Sequence, residues 1–250
     1  MIICKSAAEL EKMRAVGRIG AQVLRVVASK VTPGVTTLDL EGVAERAIAA
    51  AGARAAFKGY RGYPCVLCTS VNEEIVHGIP SDRKLKTGDI VSIDVGVTLD
   101  GYFADTAVTV GLRPVDPQVG RLLQVTREAL ERGAARARAG CYVGDIAAAV
   151  EEHVEANGFN VVREFVGHGI GTAMHEEPQV PNYTGGLRGR GAKLTAGMVL
   201  AIEPMVTMGS PEVKMRPDRW TAATLDGSRA AHFEHCVAVT QNGPWVLTAP

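Results

Sequence analysis

The sequence carries no excess of charge. Its 27 basic and 27 acidic residues cancel to a formal net charge of zero. That balance gives no electrostatic footprint for specific nucleic-acid recognition or for an anionic membrane. No apolar run approaches the roughly 20 residues of a membrane-spanning helix. The five cysteines (Cys4, Cys65, Cys68, Cys141, Cys236) are odd in number and scattered. They exclude a disulfide framework and point to a reducing cytoplasm. Cys65 and Cys68 form a CxxC, but no second CxxC completes a structural zinc site; they read as small residues lining a core or pocket. No signal-peptide pattern opens the chain, and no linker or low-complexity segment divides it. The glycine-rich stretch 185–191 lacks the Lys-Ser/Thr ending of a phosphate loop and reads as a mobile loop.

What is present is organised as a repeat. Ser6 and Glu9 frame a capping box, and Leu10, Met13, Val16, Ile19, Val23 and Val27 follow at helical spacing. A second helix is expected from about Thr37 through Leu40, Val43 and Ile48, stopping at Gly52. Asp116-Pro117 starts a third, which carries Leu122, Leu123, Val125 and Leu130 and breaks at Gly140. Asp145 is expected to start a fourth, through Ile146, Val150 and Val154 to Gly158. Gly34, Asp39, Leu40, Glu45, Ile48 and Gly52 match Gly140, Asp145, Ile146, Glu151, Val154 and Gly158 at one constant offset. Two apolar runs, ending at Asp94 and Glu203, repeat at nearly the same offset, each acid six residues after a glycine. The pattern predicts an α+β fold, with a mostly antiparallel sheet and helices on one side. We expect one domain over 1–250, with pseudo-symmetric halves of about 1–115 and 116–250.

Apolar runs bounded by turn residues read as buried strands, and an acid at the end of one is costly unless paired or bound to a metal. Asp100-Gly101 is a strong hairpin signal. A two-residue turn there sets Leu99 against Tyr102 and Gly96 against Asp105, making Asp94 and Asp105 diagonal neighbours at roughly 7–8 Å. Glu234 borders a second apolar strand, as Asp105 does. His168 lies in a Gly-His-Gly loop whose glycines permit close backbone approach. Four carboxylates and one histidine form a hard, oxygen-rich donor set, which favours Mn, Fe, Co or Zn in a paired site. Glu73, Glu74, Glu176 and Glu177 default to solvated or salt-bridged roles.

Asp94, Asp105, His168, Glu203 and Glu234, together with His77 and His175, resemble the pita-bread metallopeptidases. Within them the chain is similar to the compact bacterial form of the type I methionine aminopeptidases. The likeness rests on Tyr60–Pro64, Ser70–Glu73, Val76–Pro80, Gly167–Gly171, His175–Pro178 and Ile202–Pro204. The resemblance implies a pita-bread fold and two divalent metal ions. Asp94 would chelate one ion, Asp105 and Glu234 would bridge both, and His168 and Glu203 would complete the other. It implies hydrolysis of the first peptide bond, with Glu203 shuttling a proton, His175 stabilising the carbonyl oxygen and His77 contacting the scissile nitrogen. The matching methionine pocket is Phe57, Tyr60, Tyr63, Cys68, Met174 and Trp220, with Trp220 as a lid. The chain departs from the common family pattern at Phe57, Met174 and Gly96. The expected substrate is the N-terminal Met of nascent peptides with a small second residue, acted on by a cytoplasmic monomer. The resemblance makes the ribosome a candidate partner that the basic stretch Lys214, Arg216, Arg219 and Arg229 could face, but a solvated loop is the preferred reading of those charges. The competing readings are an X-Pro dipeptidase or aminopeptidase and a catalytically inactive binding relative. The helical insertion of type II enzymes has no room here, and the N-terminal extensions of eukaryotic type I enzymes and prolidases are not expected.

Overall fold

Among the described residues, four α-helices and a set of antiparallel strands follow the expected order. The structure, a computed structural model, describes residues 2–185, 187 and 189–249. Gly186 and Arg188, in the stretch read as a mobile loop, lie outside the described residues.

Helix α1, Ala7–Ala28, starts where Ser6 accepts from the Glu9 amide and Glu9 reaches back to the Ser6 amide. Helix α2, Thr37–Ala50, repeats that device with Thr36 and Asp39. Helix α3, Pro117–Arg136, is capped by Asp116 and has proline in its first turn. Helix α4, Val143–Ala156, begins two residues earlier than expected. Asp145 does not start it; its carboxylate reaches back to the Tyr142 amide at 2.8 Å, satisfying an amide that a helix N-terminus leaves without a partner.

Each helix pair covers its own apolar core. Leu10, Met13, Val27 and Leu40 close over Leu67, Val95 and Val97. Leu122, Val125, Ile146 and Val150 close over Leu200, Ile202 and Val237. Each such side chain contributes about 1.5–3 kcal/mol on full burial, so the helices are held by their apolar faces rather than by propensity.

Every strand pairing is antiparallel. The strand Ile90–Leu99 pairs with Tyr102–Gly111 in the expected register, Leu99 opposite Tyr102 and Gly96 opposite Asp105. Asp100 and Gly101 have φ of 50° and 81°, as a type I′ turn requires. The strand does not end at Asp94. It runs on to Leu99, because the hairpin continues the pairing, so Asp94 sits mid-strand. A second sheet orders Gly243–Val246, His235–Thr240, Val199–Ile202, Gly167–Gly169 and Glu176–Val180. His168 is therefore on a central strand, not in a loop. It pairs with Ala201 on one side and Gln179 on the other. Glycine is what fits there. A Cβ on Gly169 would lie 2.7 Å from the Glu177 carbonyl carbon, and one on Gly167 3.2 Å from the Val180 carbonyl oxygen.

The two sheets meet along a seam. Ala107 bridges to Glu234, and the Thr106 hydroxyl donates to the Glu234 carbonyl at 2.9 Å. The Asp105 amide donates to Cys236 Sγ, and the Cys236 thiol donates to the Asp105 carbonyl, both at 3.2 Å. Thr109 does the same for His232 on the strand Ala230–His232, which belongs to a separate three-stranded sheet, donating to its carbonyl and accepting from its amide. Asp105 and Glu234 are thus placed by a backbone junction between segments far apart in sequence.

Candidate metal centre and pocket

Asp94, Asp105, His168, Glu203 and Glu234 converge on one cavity of about 310 Å³. One ligand atom each from Asp105, His168 and Glu234 lies within 4.8 Å of the others. Glu203 Oε1 is 3.6 Å from His168 Nε2. Asp94 Oδ1, Asp105 Oδ1 and Glu234 Oε1 are buried without a hydrogen-bond partner. Buried carboxylate oxygens are normally paired, so this cluster is short of positive charge. A divalent cation is the partner that four carboxylates and an imidazole fit.

The electrostatics say the same. Burial raises the Asp94 carboxyl to about 7. Burial raises Asp105 well above the carboxylate range, and Glu234 and Asp94 add to it. Glu203 rises by burial and by the charges of Asp105 and Asp94, and Glu234 by burial and by Glu203 and Asp94. Without a cation these acids oppose one another.

The histidines line the other side. His77 and His168 are pushed down by burial, to about 4 and about 3, with His175 as a lesser cause for each. His175 is lowered by burial and then by Arg61. Its ring lies 4.0 Å from that of His168 and stacks on Tyr60 at 5.4 Å. The Tyr60 hydroxyl is 2.9 Å from His175 Nδ1. His77 sits at the end of the strand Glu74–Val76 with φ of 60°. An imidazole held in the left-handed region is strained backbone at a cavity wall. Gly78 follows it, where a Cβ would lie 2.8 Å from the Thr69 carbonyl carbon.

All six expected pocket residues line the same cavity: Phe57, Tyr60, Tyr63, Cys68, Met174 and Trp220. Phe57 meets Tyr63 edge to face at 6.4 Å, and Trp220 meets Tyr63 edge to face at 5.1 Å. Sequence reasoning missed Arg61, Val76, Glu164, Phe165 and Val166, which line it too. Phe165 packs edge to face on His77 at 5.3 Å. Sequence reasoning also missed His232, which is 2 % exposed, with neither ring nitrogen bonded. Its Nε2 is 3.9 Å from Glu203 Oε2. The available signal was its place two residues before Glu234.

Of the four other acids expected to be solvated or salt-bridged, Glu177 is exposed and three are paired. Glu176 binds Lys5, Glu74 binds Arg83, and Glu73 binds Arg216. Of the basic residues in the candidate partner face, Arg216 is held by Glu73, Arg229 by Asn72, and Lys214 by the Leu225 carbonyl.

The sequence matches metallopeptidase family M24 over residues 11–241. It is 48% identical over 248 residues to the methionine aminopeptidase of Clostridium perfringens, covering 99% of both chains. The crystal structure of the methionine aminopeptidase from Thermotoga maritima is similar at TM-score 0.97 and 45% identity, with full coverage of both chains. The prolidase from Pyrococcus furiosus shares the fold at TM-score 0.78 and 21% identity, the match covering 99% of this chain and 66% of that one.

Proposed function

The chain belongs to metallopeptidase family M24, and with the methionine aminopeptidases as its relatives we infer that it removes the N-terminal methionine from proteins and peptides. The family works with divalent metal. We propose two divalent cations here, drawn from Co, Mn, Fe and Zn. Asp94, Asp105, Glu234, His168 and Glu203 would hold them, with Asp105 and Glu234 shared. When bound, such ions supply Lewis acidity and make a water nucleophilic at neutral pH.

The chain's own residues do the rest. Phe57, Tyr63, Cys68, Met174 and Trp220 supply an apolar, partly aromatic wall, and a thioether gains from sulfur–aromatic contact there. Glu203 faces the cavity beside His168 and is placed to take and return a proton. His77 is neutral at pH 7, since its pKa is held near 4, so it offers a ring N–H to the scissile amide. When the Tyr60 hydroxyl donates to His175 Nδ1, the opposite nitrogen carries the hydrogen and can donate to the carbonyl oxygen. A preorganised N–H donor aimed at the developing negative charge stabilises it without reorganisation at the moment of reaction.

We further propose a preference for a small second residue, a monomer built as one domain over 1–250 with halves of about 1–115 and 116–250, and nascent chains at the ribosome as the working substrate. No helix among the described residues is long and apolar enough to cross a membrane. Five free cysteines support a cytoplasmic setting.

The observation that carries the reading is the convergence of Asp105, His168 and Glu234 within 4.8 Å beneath an apolar wall. The test incubates metal-loaded protein with Met-Ala-Ser and with Ala-Pro. Release of methionine is the expected result. Cleavage of Ala-Pro alone would assign an X-Pro peptidase, and no release with any divalent metal would assign a binding protein.

A further inference from the structure

Gly96 lies in the middle of the metal-ligand strand, two residues after Asp94 and directly opposite Asp105. A glycine inside a strand weakens it, and often marks a place where another group comes close. Gly96 is not among the positive-φ glycines, so its backbone does not require glycine. Space does. A Cβ at this position would lie 2.7 Å from Phe57 Cδ1 and 3.0 Å from Cζ, and closer still to Cε1. No real Cβ sits so close to a ring. Phe57 is brought there by the backbone, because the Ala56 amide donates to the Gly96 carbonyl at 2.9 Å. Phe57 is 9% exposed, meets Tyr63 edge to face and lines the same cavity as the carboxylates.

We propose that Gly96 and Phe57 form a single specificity-determining unit. The missing side chain at 96 is the seat of the Phe57 ring, and the depth of that seat sets the width of the pocket for the first residue. This rests on the reading that the cavity takes an N-terminal methionine. With the ring fully seated, the pocket admits a long, unbranched apolar side chain. A methyl group at 96 pushes the ring off the strand into that space. Removing the ring opens the space to bulkier first residues and makes a methyl group at 96 harmless.

The experiment is a double-mutant cycle on the metal-loaded protein: wild type, Gly96→Ala, Phe57→Ala, and the pair together. Each is assayed on peptides that begin with Met or Leu and are otherwise identical. A one-carbon misfit in an apolar pocket is worth ~10-fold or more. We expect Gly96→Ala alone to lose kcat/KM on the Met peptide by about that factor, mainly through KM. Phe57→Ala alone should lose activity on Met and improve the Leu-to-Met ratio. Adding Gly96→Ala to Phe57→Ala should then cost nothing further. Equal losses from Gly96→Ala in both backgrounds, or no loss in either, would overturn the proposal. Phe57→Ala should melt lower, as loss of a buried ring requires, while calorimetric manganese affinity, measured on every variant, should be unchanged. If Gly96→Ala loses manganese in proportion to activity, the loss belongs to the ligand strand and the proposal fails. If Gly96→Ala does not fold alone, folding of the pair with Phe57→Ala supports the same steric coupling, and failure of both overturns it. A wild type that releases no methionine would instead refute the functional reading underneath.

Discussion

Lys5 Nζ lies 2.5 Å from Glu176 Oε2, with the two side chains 3% and 5% exposed. Residues far apart in sequence thus form a buried ion pair beside His175. Glu176 Oε1 also accepts from the Thr172 and Ala173 amides at 2.8 and 3.3 Å. The pair therefore anchors the turn that carries Met174 and His175 into the cavity. Removing one partner leaves a buried charge, at a cost of about 3–5 kcal/mol. Lys5→Met should lose about that much in urea denaturation and lower kcat as His175 drifts. The double variant Lys5→Met, Glu176→Met should recover part of the stability but not the activity. Full activity in Lys5→Met would show that the turn is held by other contacts.

Asp105→Asn should lose divalent metal and activity together. It removes a carboxylate that Glu234 and Asp94 already oppose, so the metal-free variant should melt no lower than metal-free wild type. Loss of a ligand exceeds the ~10–100-fold cost typical of supporting residues. Calorimetric titration with manganese should show a drop of about 100-fold or more. Near-normal affinity would remove Asp105 from the ligand set.

His77→Asn tests the neutral donor without its strain confusing the result, because asparagine tolerates the left-handed backbone that His77 adopts at φ of 60°. Metal affinity should persist while kcat falls by roughly 100-fold or more, the scale of one lost transition-state donor. A change confined to KM would give His77 a binding role only.

Metal-induced stabilisation should grow with pH. Burial pushes the folded Asp94 carboxyl up to about 7, from an ordinary carboxyl value of 3.8 in the unfolded chain. Between those values the folded apo protein holds more protons, so this group makes it less stable as pH rises. His77 and His168 act in the opposite sense. Their folded values are near 4 and 3, so their contribution is complete above the unfolded value near 6.5 and is lost as pH falls below it. A cation requires the carboxylates ionised and takes over their repulsion. The melting shift caused by manganese should therefore be larger at pH 8 than at pH 5.5. Equal shifts would mean that the buried acids are already ionised without metal.

Local signals in the sequence carried the helices and the hairpin. The capping pair Ser6 with Glu9 and the Asp100-Gly101 turn involve residues within four of each other, so their geometry is written where they stand. Asp94 and Asp105 were legible as neighbours because a two-residue turn fixes the register. The strand through His168 was not. Gly-His-Gly has no strand propensity, and only the pairing partners Ala201 and Gln179 impose extension on it. The start of α4 was read two residues late, because Asp145 has the chemistry of a cap but serves from inside the first turn. The seat of Phe57 over Gly96 was out of reach, since it depends on contacts between segments that sequence spacing does not relate, and His232 had only its place two residues before Glu234 to mark it.

The seam that joins the two sheets also sets the order of events in the life of the chain. Its contacts, Asp105 with Cys236, Thr106 with Glu234 and Thr109 with His232, span 131, 128 and 123 positions. The helix pairs and the hairpin can form from short-range contacts as soon as their own residues are free. The acids cannot gather until nearly the last strand has been made and brought back, and such long closures are slow. The activity therefore switches on only at the end of folding. A chain interrupted just before Glu234 would carry most of the scaffold and none of the chemistry.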